Sequence, residues 1–153
     1  MVSPEDAELL QRRWYASEYR PGKFRVRRDY RKRGSGNRKL SRENLAAIIV
    51  GVADCIPDHI NGDALDNRRA NLRPANTSQN QANRALPRNN TSGFKGVHYL
   101  AAANAWRATI GVNGRKVRLG QFATAEAAAA AYDEAAVFYF GSYARTNSMM
   151  EAA

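Results

Sequence analysis

The sequence predicts an α+β chain in two modules, on the strength of three stretches. Residues 58–83, DHINGDALDNRRANLRPANTSQNQAN, are dense in turn signals and run into a short polar helix. Residues 106–112 alternate as a strand, meet the hairpin dipeptide Asn113-Gly114, and continue as a further strand over 115–119. Between the two, residues 86–93 (LPRNNTSG) have the composition of a linker.

The chain of 153 residues has room for one ordinary domain or two small ones. At 44% hydrophobic and 25% charged residues it is expected to fold. No apolar run approaches the roughly 20 residues a bilayer span needs, so no membrane partner is expected. The opening MVSPEDAELLQ is acidic and polar, unlike a secretory signal. Cys55 is the single cysteine and there are two histidines, so neither disulfides nor a zinc site are expected. The setting this implies is cytoplasmic, in a bacterial or phage-infected host cell. A net charge of +10 and a pI near 10.3 call for a polyanionic partner, nucleic acid ahead of anionic membrane. The excess is uneven: residues 1–52 carry 13 Lys and Arg against 6 Asp and Glu.

In chain order, Ser3-Pro4-Glu5-Asp6 reads as a helix start, with a capping serine, proline in the first turn and acids at the positive dipole end. Leu9, Leu10, Arg13 and Trp14 then share a face, Trp14 as a core anchor, until Pro21-Gly22 breaks the helix. Phe24, Val26 and Tyr30 alternate with Arg25, Arg27 and Arg31, a strand with one cationic face. A turn at Gly34-Ser35-Gly36-Asn37 makes 24–39 a hairpin, whose arginines either follow a DNA backbone or form a solvated face. Ser41 caps a second helix with Leu45, Ile48, Ile49 and Val52 on its apolar stripe, ended by Gly51.

In the 58–83 stretch, Asp58-His59 is followed by Asn71 twelve residues after the histidine and Asn80 twenty-one after it. Hydrolysis of a phosphodiester needs a base to take a proton from water, and an imidazole is suited to that at neutral pH. It also needs positive charge at the departing oxygen, which a hard cation on oxygen ligands provides. The ordered series Asp-His, Asn-Gly-Asp, Asp-Asn-Arg-Arg and Asn-Leu-Arg resembles the HNH endonuclease motif of phage and homing-type enzymes. The resemblance implies a ββα-metal unit, two short strands and a helix around one divalent cation, Mg²⁺ with Mn²⁺ as a substitute. It assigns His59 as general base, Asp58 and Asn80 as metal ligands, and Asn71 as the brace of the loop around the histidine. Arg68, Arg69 and Arg73 are candidate phosphate clamps. Pro57 stands before Asp58 without an amide donor, so the strand must begin there or lie at an edge. The His-Arg pair that many relatives carry upstream is absent: Ala46-Ala47 or Ser41-Arg42 occupies that place.

After the linker, 94–100 reads as a strand, and Thr124 caps a helix in which Ala127, Ala128, Ala131 and Ala135 allow close approach to a sheet, until Gly141. Lys-Gly-Val, Leu-Gly-Gln-Phe, Thr-Ala-Glu-Ala-Ala and Ala-Tyr-Asp-Glu-Ala-Ala, within 92–147, resemble the Apetala-two/ethylene-response-factor (ERF) DNA-binding domain. That resemblance implies a three-stranded antiparallel sheet lying in the major groove and backed by one helix. The alternation puts Ala108, Ile110, Val117 and Leu119 towards the helix and Arg107, Thr109, Lys116 and Arg118 outwards. Lys95 and His98 match contact positions on the first strand, while Trp106 is read as core. The expected modules are 1–86, an HNH nuclease domain with a basic N-terminal region, an 87–91 linker, and a 92–148 ERF-like domain. The expected partner is double-stranded DNA, and the expected function is a DNA endonuclease. As a monomer it would nick one strand, and a double-strand break would need a dimer or two separate events. The rival is a DNA-binding protein that keeps the nuclease scaffold without cutting.

Overall fold

A short 3₁₀ helix, Pro4–Gln11, starts the chain, and Trp14 closes it by donating its indole Nε1–H to the Leu9 carbonyl at 2.6 Å. The computed structural model describes residues 1–21, 23–30, 41–51 and 55–151. The long first helix expected up to Pro21 is corrected here. Residues Tyr15–Arg20 are strand β1, which pairs antiparallel with β2, Lys23–Tyr30. The tyrosines at 15 and 19 suit a pleated surface, and a partner strand lies within reach across a short turn at Pro21. β2 also pairs with β3, Ser41–Asn44, giving a sheet of order β1-β2-β3. The expected turn at 34–37 lies outside the described residues, as does Val52.

Helix α1, Leu45–Val50, begins three residues later than expected. Asn44, not Ser41, is its cap, accepting from Ala46 N–H at 3.1 Å. Gly51 ends it in the left-handed region, at φ 67°. Leu45, Ala46 and Ile49 are buried with Leu72, and Leu9, Trp14 and Val26 pack against them. β4, Ile56–His59, pairs antiparallel with β5, Leu72–Ala75, as a separate two-stranded ribbon. α2, Thr77–Ala82, follows, with a capping box between Asn76 and Gln79.

The remainder is a sheet of order β6-β7-β8 backed by α3. β6 is Val97–Leu100, β7 Ala105–Val112, β8 Arg115–Phe122 and α3 Ala125–Phe140. Asn113 and Gly114, at φ 49° and 78°, make the left-handed turn that the dipeptide signals. Thr124 caps α3 by accepting from Ala127 N–H at 3.2 Å, and Gly141 ends it. The face applied to the sheet carries Ala125, Ala128, Ala129, Tyr132 and Ala136. Ala127, expected on it, is exposed: the stripe runs one position later. A short helix α4, Asn147–Glu151, closes the described chain.

The molecule is therefore α+β, with a three-stranded antiparallel sheet towards each end of the chain. Contacts divide it into two compact units, Met1–Ala75 and Asn76–Ala153. α2 falls in the second, where Ala82 is buried among Ile110, Tyr132 and Ala136. The motif-based boundary near residue 86 stays a proposal about functional modules. Among the described residues, no helix is long and apolar enough to cross a membrane.

Candidate active site and nucleic-acid interface

β4 ends on His59, and its register sets Asp58 opposite Arg73 and His59 opposite Leu72. Ile60 N–H donates to Asn71 O at 2.9 Å, so 60:71, 58:73 and 56:75 are the hydrogen-bonded pairs of the ribbon. Pro57 then faces Pro74 in a non-bonded position, where a missing amide donor costs the ladder nothing. Two prolines across from each other are tolerated because both strands are edges.

Asp58 is only 3% exposed, and Arg73 Nε donates to its Oδ2 at 2.7 Å. His59 is half-buried, with Nε2 3.3 Å from Asn67 Oδ1. The contact holds the ring against the loop whichever ring nitrogen carries the proton.

The loop between the strands is tied by side chains of its own turn residues. Asn71 Nδ2 donates to the Asp66 carbonyl at 2.8 Å, and its Oδ1 accepts from Asn61 N–H at 2.9 Å. Asn61 Nδ2 reaches Asp66 Oδ2 at 3.1 Å, and Gly62 N–H returns to His59 O at 2.9 Å. Asn71 thus spans both ends of the loop that leaves His59. The buried Asp66 carboxylate takes both Arg68 Nε, at 2.8 Å, and Nη2, at 2.6 Å. These charged hydrogen bonds hold it well below the usual carboxylate range. Arg69 is held likewise by the buried Asp6, at 2.8 and 2.6 Å, and its backbone N–H donates to Ser3 Oγ at 2.8 Å. Arg68 and Arg69, read as phosphate clamps, are each paired to a carboxylate. Their side chains nevertheless remain about half exposed.

Asn67 and Asp66 were read in the sequence as turn residues alone. Their burial at 1% exposure and the contact to His59 give them a part in the site. Asn80 sits on α2, in the second compact unit, so its partnership with Asp58 rests on the motif. Among the described residues, no three His, Cys, Asp or Glu side chains group as a cation cage. The candidate donors are one carboxylate and amide oxygens, which fit a hard divalent cation completed by water and phosphate oxygens rather than a soft one.

In the second unit, His98 pairs with Arg107, and Arg107 with Gln121, across the outward face. Thr109 pairs with Arg118 and Gly111 with Lys116 on the same face. A register shift at Ala108/Thr109 lets Leu119 pack inwards and lifts Gln121 into the row of Arg107. Gly120, at φ 151°, supplies the backbone for it, and this glycine was the only sequence signal of the bulge. Lys95 is not on this face. Its ammonium donates to the carbonyls of Arg84, at 2.9 Å, Arg145, at 3.2 Å, and Ala82. Three acceptors match its three donors, so its geometry serves to join three segments of the unit and not a phosphate. Burial, with the nearby Arg145, brings its pKa down to about 8.

Comparisons with known proteins find likenesses to two families. The HNH endonuclease family model matches residues 53–82. An uncharacterized HNH endonuclease of Acanthamoeba polyphaga mimivirus is 32% identical over 116 residues, 74% of this chain and 59% of the relative. Protein 3.8 of Escherichia phage T7 is 37% identical over 59 residues, 39% of this chain and 49% of the relative. The ethylene-responsive transcription factor ERN1 of Medicago truncatula is 40% identical over 85 residues, 54% of this chain and 31% of the relative. The chain thus spans about half the length of its viral relatives and less of the plant one. These likenesses support an HNH plus ERF-like DNA-binding arrangement.

Proposed function

We propose that the chain is a DNA endonuclease that hydrolyses phosphodiester bonds with the help of one divalent cation, Mg²⁺ or in its place Mn²⁺. The observation that carries the reading is the loop network that fixes the His59 ring on Asn67 and ties the loop at both ends through Asn71. A base held in one orientation is what proton abstraction from water requires. His59 takes the water proton as the water oxygen bonds to phosphorus. The bridging oxygen leaves with its bonding pair and is protonated in turn. Asp58 and, by the motif, Asn80 would hold the cation, which would supply positive charge for that departure. Arg73 keeps the buried Asp58 carboxylate paired and oriented. Arg68 and Arg69, half exposed beside their own carboxylates, would engage phosphate oxygens.

The ERF-like sheet holds duplex DNA through His98, Arg107, Thr109, Lys116 and Arg118, with Gln121 added to that row. Arginine and glutamine are the side chains that read guanine and adenine edges in the major groove. With about six phosphates contacted, binding falls with salt at a log–log slope of roughly −5. A monomer with a single such site nicks one strand. The modules would be 1–86 for cutting and 92–148 for holding DNA.

The test is nicking of supercoiled plasmid with Mg²⁺ or EDTA, comparing the native chain with His59→Ala. Metal-dependent nicking lost in the variant supports the reading. Equal DNA binding by both proteins, with no scission even with Mn²⁺ and varied sequence, overturns it. A second reading, a DNA-binding protein without cleavage, is favoured by the Arg73–Asp58 pair, which occupies an oxygen of the proposed metal ligand. The plant relative is itself named a transcription factor.

A further inference from the structure

The N-terminal sheet has a face that the reading above does not use. Val26 packs against the buried Leu45 cluster, so residues of the opposite parity on β2 point away from it. These are Lys23, Arg25, Arg27 and Asp29. By register Arg25 stands beside Ser17, Arg27 beside Tyr15 and Asn44, and Asp29 beside Arg42. The guanidinium of Arg25 lies 4.0 Å over the Tyr19 ring, and that of Arg27 lies 5.5 Å from the Tyr15 ring centroid. Tyr15 is steadied by donating its hydroxyl to Asp29 Oδ2 at 2.6 Å. Asp29 also has Arg42 Nε 3.3 Å from its other oxygen. By this register it is the carboxylate of the face among the described residues, and it is answered by Arg42. Lys23, Arg25 and Arg27 are left as net positive charge. Arg27 Nε finds no hydrogen-bond acceptor among the described residues.

Two features select the partner. Guanidinium groups supported on tyrosine rings are held with less rotamer freedom than solvated arginines, so less entropy is lost when an oxyanion meets their edges. The cations also recur every second residue, roughly 6.8 Å apart along the strand. That is a row suited to a polymer with regularly spaced charge rather than to one isolated anion. Phe24, the exposed apolar side chain of β2, belongs by parity to the opposite face, and the tyrosine rings on this one are engaged by the guanidinium groups of Arg25 and Arg27.

We propose that the outward face of the β1-β2-β3 sheet, built on Lys23, Arg25, Arg27 and Arg42, is a second duplex-DNA contact surface that grips the phosphate backbone without reading bases. It extends the reading of the chain as a DNA-acting protein, and it is independent of whether His59 cuts.

The experiment measures binding of the full chain to a labelled duplex of arbitrary sequence, in EDTA, at a series of salt concentrations. The native chain is compared with Arg25→Gln/Arg27→Gln, with Arg25→Lys/Arg27→Lys, and with Lys116→Gln/Arg118→Gln on the ERF-like sheet. The glutamine pair at 25 and 27 is expected to make the log–log slope shallower by about 1.8, at about 0.9 per phosphate lost. The lysine pair should keep the native slope. The ERF-like pair should produce a separate, additive loss. A folded Arg25→Gln/Arg27→Gln chain with the native slope overturns the proposal, as does a loss seen only with single-stranded DNA or RNA of equal length. Should the 25/27 variant fail to fold, Lys23→Gln/Arg42→Gln at exposed positions decides in its place, an unchanged slope again overturning the proposal. No DNA binding by the native chain at all overturns the DNA-acting reading itself, which distinguishes the two failures.

Discussion

Arg73 and Asp58 face each other across β5 and β4, Nε to Oδ2 at 2.7 Å, with both side chains largely out of water. A carboxylate buried this far is stable because a guanidinium shares its charge. Removing one partner of a buried pair costs about 3–5 kcal/mol, because the other is left uncompensated. Arg73→Gln is therefore expected to lower the unfolding free energy of the unit by an amount in that range, read from a urea titration. Asp58→Asn should cost less, since the neutral amide still accepts from Arg73, yet it should abolish metal-dependent nicking. Equal stability losses in the two variants would contradict the pairing argument.

Asn67 is expected to act through His59. Asn67→Ala removes the side chain that contacts Nε2, and a misplaced base can cost about 10²-fold in rate. The expected outcome is a fall in nicking rate with duplex affinity unchanged. A parallel fall in both would assign Asn67 to general folding of the loop.

Asn71 holds the backbone carbonyl of buried Asp66 and the backbone N–H of Asn61. Asn71→Ala removes both contacts, and the one to the buried carbonyl costs about 1–3 kcal/mol. Unit 1 should melt earlier, and exchange of the Asn61 amide hydrogen should speed up while amides of β7 and β8 are unaffected. An unchanged Asn61 exchange rate would refute the bracing contact.

Lys95 gives a pH dependence of known sign. Its folded pKa of about 8 lies below the ordinary 10.5, so between those values the unfolded chain binds the extra proton. Stability contributed here rises as pH climbs from about 8 towards 10.5. Tyr132, pushed up to about 12 by burial, works the other way above its ordinary 10.0, where the unfolded chain loses its proton first. The expected profile rises from pH 8 to about 10 and then turns down. Lys95→Met should remove the rise and leave the fall.

Gly96 sits at φ 77°, and a Cβ there would collide with the Tyr132 ring and lie 2.6 Å from Thr109 O. Gly96→Ala combines a left-handed backbone with a clash against backbone, so a loss above about 3 kcal/mol is expected in thermal unfolding. Tyr132→Leu in the same chain should restore part of it.

What the sequence showed and hid follows from how local each signal is. The β7–β8 hairpin was legible because Asn113-Gly114 fixes the turn and Ala108 and Ile110 fix the inner face. The bulge that brings Gln121 beside Arg107 was not, because alternation counts in twos and a bulge adds one. Leu9, Leu10 and Trp14 fit a helical face as well as a 3₁₀ turn followed by a strand; the pairing of Tyr15 with Arg27 decides between them, and that is tertiary. Lys95 has the residue type of a DNA contact, and only the three carbonyls around it reveal the inward course of its side chain. The spacing of Asp58, His59 and Asn71 was plain in the sequence, whereas Arg73 on Asp58 and Asn67 on His59 depend on register and on the path of a loop.

Ser3 and Asp6 reach the Arg69 backbone and side chain over separations of 66 and 63 residues. Closing so long a loop is entropically slow, and contacts of this kind form after local ones. Hairpins such as β1–β2 and β7–β8 form on a scale of about 1–10 μs. The turn that carries Arg69 gains its last supports only when the first residues return to it. In a refolding chain, the two hairpins would thus recover their shape first, and the loop beyond His59 would gain its full set of ties last.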